Sequence, residues 1–205
     1  MMVERLESLQ IIPVVALDDA SMAGDLADAL CEGGLPCAEI TLRTDAALDS
    51  IRNLAGRDDL LLGAGTVHGA DQAEAAVDAG ARFIVTPGFN PGTVRWCLDN
   101  EIPVFPGTSS PTDLEMALDF GLSVVKFFPA ETLGGVRTLK AFAGPYGGIR
   151  FIPTGGIGPG NLADYLSLPQ VLACGGSWMV KPDLLAAGDF AAVTRLAREA
   201  VQMVQ

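Results

Sequence analysis

Histidine is almost missing from this 205-residue chain, and with His68 alone no histidine-rich metal site can form within one copy. Lysine is nearly as scarce, limited to Lys126, Lys140 and Lys181. Cys31, Cys37, Cys97 and Cys174 are scattered with no CxxC pair, which fits reduced core thiols better than a disulfide framework. No all-carboxylate or cysteine cluster is visible either, so no metal and no cofactor is expected. Long apolar runs are also lacking: none approaches the ~18 residues needed to span a bilayer. The start, Met1-Met2-Val3-Glu4-Arg5-Leu6-Glu7, does not show the basic-then-apolar pattern of a secretory leader, so a cytoplasmic protein without a membrane span is expected. Positive charge is in deficit. Thirteen Lys and Arg against 25 Asp and Glu give a net charge of −12, which repels nucleic-acid phosphates and anionic lipid. A small anionic substrate stays open wherever local groups reverse that field.

What is present is apolar sequence in short runs, 49% hydrophobic against 19% charged, enough to bury a full core in one domain over residues 1–205. The runs begin near Ile11, Pro36, Leu60, Phe83, Ile102, Val124, Arg150 and Val171, and a helical pattern follows each. The first helix is expected from Ser21 as N-cap to Gly33-Gly34, and the second, from Thr44 to Gly56, with Ala47, Leu48, Ile51 and Leu54 on one face. Further helices are expected after Gly69, Asn90, Ser110, Gly134 and Gly158, and a last one from about Asp189. Ile11-Ile12-Pro13-Val14-Val15-Ala16-Leu17 and Phe83-Ile84-Val85 are continuous rather than alternating, as parallel strands buried on both faces should be. Eight strand–helix units predict an α/β fold, a compact (β/α)8 barrel. An open doubly wound sheet is the alternative, but no GxGxxG follows the first strand.

Such a barrel assembles its site at the C-terminal strand ends. Lys126 sits in Val124-Val125-Lys126-Phe127-Phe128-Pro129, and because burial disfavours a charged amine, an amine so placed is a candidate nucleophile. Phe128 and Pro129 would wall water off. A structural ion-pair partner is the competing reading. Strand alternation turns Glu39, Thr41 and Arg43 to one side, bringing a carboxylate and a guanidinium to the barrel mouth, unless they form an internal pair. Gly63-Ala64-Gly65-Thr66 either lets backbone approach a ligand or makes a tight turn. Gly155-Gly156 and Gly175-Gly176-Ser177 close the last two strands, the usual place of a barrel phosphate site, and a short helix from Pro182 would add its dipole. Together these parts predict Schiff-base aldol cleavage of a phosphorylated keto acid.

Glu39-Ile-Thr-Leu-Arg43-Thr44, Gly63-Ala-Gly-Thr66-Val67, Lys126-Phe-Phe-Pro-Ala-Glu131, Pro153-Thr-Gly-Gly-Ile157 and Gly175-Gly-Ser-Trp178 resemble the 2-keto-3-deoxy-6-phosphogluconate (KDPG) aldolases, in order along the chain from about Ile11 to the final helix. The resemblance implies a class I, metal-independent homotrimer that cleaves KDPG to pyruvate and glyceraldehyde 3-phosphate in the Entner–Doudoroff pathway. It implies Lys126 as the Schiff-base lysine, Glu39 as proton shuttle, and Arg43 and Thr66 on the pyruvate carboxylate. Thr154 would contact substrate hydroxyls, Pro87 and Phe128 would line the substrate site, and Gly155, Gly156, Gly176 and Ser177 would hold the phosphate. His68, where an aliphatic residue is common, and Pro106-Gly107-Thr108-Ser109-Ser110 depart from the family pattern and bear on specificity. Related readings are aldolases for the galactonate epimer or 4-hydroxy-2-oxoglutarate. A sugar-phosphate epimerase would need paired acid and base groups or a metal, and a non-catalytic phosphate-binding barrel would not need Glu39, Arg43 and Lys126 together.

Overall fold

Apolar runs this short satisfy their backbone only by pairing with one another, and in the computed structural model, which describes residues 2–204, every run does so. The strands are β1 (Ile11–Val15), β2 (Cys37–Thr41), β3 (Leu61–Gly65), β4 (Ile84–Val85), β5 in two segments (Val104–Phe105 and Gly107–Thr108), β6 (Val124–Phe127), β7 (Arg150–Pro153) and β8 (Cys174–Gly176). All pairings are parallel. They run from Val14 against Glu39, through Glu39 against Gly63, Ala64 against Ile84 and Ile84 against Val104, to Gly107 against Lys126 and Lys126 against Ile152. Bridges Phe151–Val171 and Thr154–Gly175 join β7 to β8, and Ile11 against Cys174 returns β8 to β1, so the sheet closes. The expected barrel is the fold observed. Strand five divides at Pro106, which has no N–H for the ladder; its carbonyl instead accepts the Lys126 N–H at 2.9 Å.

The helices are α1 (Met2–Leu9), α2 (Ala23–Glu32), α3 (Ala47–Leu54), α4 (Ala70–Ala79), α5 (Pro91–Asp99), α6 (Pro111–Asp119), α7 (Gly135–Ala143), α8 (Leu162–Leu166), α9 (Pro182–Ala186) and α10 (Phe190–Gln202). Asn90 caps α5 by accepting the Gly92 and Thr93 N–H groups, Ser110 forms a capping box with Asp113 on α6, and Asp189 caps α10. Ser21 does not cap a helix. It lies inside a 3-10 turn, Ala20–Met22, opened by the Asp19 carboxylate, which accepts the Ser21 N–H at 2.8 Å; a carboxylate is the stronger acceptor, and α2 starts only at Ala23. After Gly158 a turn intervenes, so α8 begins at Leu162. Helix α1, ahead of the first strand, was not expected from the sequence.

Period-two alternation sends each strand's side chains to two different cores. Ile12, Cys37, Leu61, Phe83, Val85, Phe105, Val124 and Ile152 fill the lower barrel, and Leu6 of α1 plugs its N-terminal end. Ile11, Val15, Ala38, Ile40, Leu62, Ala64, Ile84, Val125 and Phe127 face outward onto the helices. The inward set is apolar below, which leaves the upper barrel for polar groups.

Candidate active site

The register of β2, β3 and β6 continues the inward row upward from Cys37 to Glu39 and Thr41, and from Val124 to Lys126. Glu39 is 2% exposed and Lys126 5%, and Lys126 Nζ lies 3.6 Å from Glu39 Oε1. That separation is an ion pair beyond hydrogen-bond reach, and Glu39 Oε1 is buried without a hydrogen-bond partner among the described residues. Burial pushes the Glu39 carboxyl above its ordinary range, against the opposing pull of Lys126 and Arg43. Lys126 Nζ also stands 5.0 Å from the Phe128 ring centroid, over the ring and within cation–π range.

Strand β3 makes space for this pair. A methyl group at Gly65 would come within 2.1 Å of Glu39 Oε1, and one at Gly63 within 2.2 Å of the Phe83 ring. Gly63 and Gly65 were expected either to let backbone approach a ligand or to make a tight turn, yet neither lines the cavity; they admit the Glu39 and Phe83 side chains. Thr66, just beyond β3, takes φ 58°, a left-handed conformation that a β-branched residue adopts only under local constraint.

A cavity of about 250 Å³ opens above the pair, and Glu39, Arg43, Thr66, Pro87, Lys126, Phe128, Thr154 and the Gly155-Gly156 and Gly176-Ser177 turns all line it, whereas Thr41 and His68 do not. Arg43 is at the exposed rim, where its Nε donates to Thr41 Oγ1 at 3.1 Å, and Thr41 donates in turn to the Val15 carbonyl at 2.7 Å. Thr66, Pro87 and Phe128 also line the cavity. Thr154 is 7% exposed and its hydroxyl has no partner among the described residues. Gly155, Gly156, Gly176 and Ser177 line the cavity from the chain that follows β7 and the end of β8. Two cations against one carboxylate make this cavity locally positive in a chain of net charge −12, the reversal an anionic substrate requires.

A family profile for KDPG and KHG aldolases matches residues 2–196. The chain belongs to the KDPG and KHG aldolase family. The 2-dehydro-3-deoxy-phosphogluconate aldolase of Treponema pallidum is 52% identical over 202 residues, covering 98% of this chain and 96% of that protein. That of Haemophilus influenzae is 48% identical over 204 residues, covering 99% and 96%. Among solved structures, the KDPG aldolase of Legionella pneumophila, with pyruvate captured at low pH as a covalent carbinolamine, superposes with a TM-score of 0.93 at 36% identity over 97% of both chains.

Two lining residues of this KDPG and KHG aldolase family member were given no role from the sequence, Val14 and Ile157, and Gly175, expected in the Gly-Gly turn, also lines the cavity. Gly175 leaves room for Thr154, since a methyl group there would meet the Thr154 hydroxyl at 2.3 Å. Val14 is one alternation above Ile12, a parity that could have been counted. His68 is exposed and anchored through its backbone, its N–H to Gln72 at 2.8 Å and its carbonyl to Asn90. The Pro182 helix borders a different cavity, beside Ala16–Met22, and does not line this one. Among the described residues, no three His, Cys, Asp or Glu side chains converge as a metal-ligand set, and no helix is long and apolar enough to cross a membrane.

Proposed function

We propose that this chain is a class I aldolase that cleaves KDPG to pyruvate and glyceraldehyde 3-phosphate, with Lys126 as the Schiff-base amine. The observation that carries this reading is the buried Lys126–Glu39 pair at 3.6 Å, whose carboxylate oxygen has no other partner among the described residues. Lys126 Nζ, once neutral, adds to the C2 carbonyl, and a proton passed through Glu39 converts the oxygen into a carbinolamine hydroxyl. Glu39 then protonates that hydroxyl, water leaves and a protonated imine forms. With Glu39 ionised again, its carboxylate takes the proton of the C4 hydroxyl. The C3–C4 bond breaks, its electron pair enters the imine as an enamine, and the aldehyde departs. Protonation at C3 and hydrolysis release pyruvate and regenerate the lysine. A carboxyl whose affinity for protons is raised by burial suits a group that must give and take protons in turn.

Arg43 and Thr66 take the substrate carboxylate, Thr154 meets its hydroxyls, Pro87 and Phe128 flank the carbon chain, and Gly155, Gly156, Gly176 and Ser177 hold the phosphate. This assignment is supported by the convergence of all these residues on one cavity. We place the reaction in the cytoplasm, a reading supported by four cysteines that are free in the structure. A homotrimer is proposed on the strength of the family resemblance. Borohydride reduction in the presence of pyruvate should add the mass of a reduced pyruvate adduct to the peptide carrying Lys126. An unmodified peptide, with substrate still turned over, would remove the Schiff-base mechanism.

A further inference from the structure

We propose that Asn161 is a positioning residue for the phosphate end of the site, an inference that rests on the phosphate assignment just made. The turn after β7 runs through Gly155 and Gly156, with φ 102° and 80°. Its successive carbonyls are all tied down. Thr154 O accepts the Ala130 N–H at 2.8 Å, Gly155 O the Glu131 N–H at 3.1 Å, and Gly156 O the Asn161 Nδ2–H at 3.1 Å. In a trans peptide the C=O and the following N–H point in opposite directions. The Gly155 N–H belongs to the parallel bridge of Thr154 with Gly175, while the Gly155 and Gly156 carbonyls, tied away from the cavity, aim the N–H groups of Gly156 and Ile157 into it. Both residues line the cavity, and among the described residues neither N–H has an intramolecular acceptor. Two successive amides form a concave anion site.

The tethers differ in kind. Those from Ala130 and Glu131 are backbone bonds that couple the turn to the chain leaving the Lys126 strand, and no side-chain substitution deletes them. The third depends wholly on the Asn161 amide, which donates to Gly156 O and accepts the Gly158 N–H through Oδ1 at 2.9 Å. Only a side chain with both a donor and an acceptor spans the turn this way. Aspartate keeps the acceptor, loses the donor and faces Gly156 O with a negative charge. Asn161 touches no reacting atom; it fixes the peptide plane whose N–H belongs to Ile157.

The test compares wild type, Asn161→Ala and Asn161→Asp on KDPG and on the unphosphorylated keto acid. Both variants should raise KM for KDPG roughly tenfold, the scale of one misdirected contact to a charged group. Both should keep kcat within about twofold of wild type, and leave kcat/KM for the unphosphorylated substrate and borohydride trapping of pyruvate within about twofold. Asn161→Asp retains the Gly158 bond and so reports on the Gly156 tether should Asn161→Ala fail to fold. Parallel losses on both substrates would make Asn161 merely structural and overturn the proposal, as would an unchanged KM for KDPG. Equal kcat/KM for the two substrates in wild type would overturn the phosphate site itself, a failure read before any substitution is made.

Discussion

Glu39 carries its proton more tightly in the folded chain than in the unfolded one because burial outweighs the attraction of Lys126 and Arg43. The group therefore subtracts stability as pH rises from its ordinary value of 4.5 through the elevated folded one, and restores it as pH falls back through that window. Glu39→Gln keeps the shape and removes the titration. Its kcat should fall by roughly 10²- to 10⁴-fold, the usual span for loss of a general acid–base group. The acidic limb expected of wild type above the ordinary carboxylate range should be absent from the pH profile of the variant. Stability of the variant relative to wild type should rise with pH across the same window, measured by urea melts; an unchanged kcat with an intact acidic limb would assign the shuttle to another group. At this scale the sequence was informative wherever residue type and strand parity spoke together, as for Lys126 and Glu39. It was less informative about Thr41, whose parity was seen but whose link between Val15 and Arg43 depends on where a neighbouring strand's carbonyl falls.

Elements position these residues through register. β3 lies beside β2 with Thr41 opposite Gly65, so the Glu39 side chain, leaning along the strand, passes over a position that has no side chain. Gly65→Ala would place its methyl group within 2.1 Å of Glu39 Oε1, and the carboxylate must turn away from Lys126. Turnover should drop by about 10²-fold from that misplacement. The melting midpoint should move down by about 1–3 kcal/mol of stability, as overpacking commonly costs. Wild-type turnover with a lowered midpoint would separate Glu39 placement from catalysis. Helix starts at Asn90, Ser110 and Asp189 were readable because each cap is a local bond. Ser21 misled because Asp19, two residues earlier, competes for the same turn. Neither open reading of the β3 glycines, ligand approach or tight turn, gave their role, because an absent side chain looks the same whether it admits a ligand or a neighbouring side chain.

For the whole molecule, closure of β8 onto β1 brings Gly176 beside Pro13, two strands from β2, the strand that leads to Arg43. The proposed trimer predicts a particle of three times the 21.3 kDa chain mass by light scattering at micromolar concentration. A species of single chain mass retaining full activity would show the cavity to be complete in one copy and the assembly assignment to be wrong. The sequence by itself determined the number and parallel character of the strands, the spacing of the helices and which residue types stand at the strand ends. It could do so because hydrophobic periodicity and caps are written within a few residues of one another. Only the tertiary structure decided that Lys126 and Glu39 meet at 3.6 Å, that Gly65 exists for Glu39, and that Asn161 holds the Gly156 carbonyl. Those relations join strands and loops whose separation is set by the curvature and register of a closed sheet, which no local pattern records.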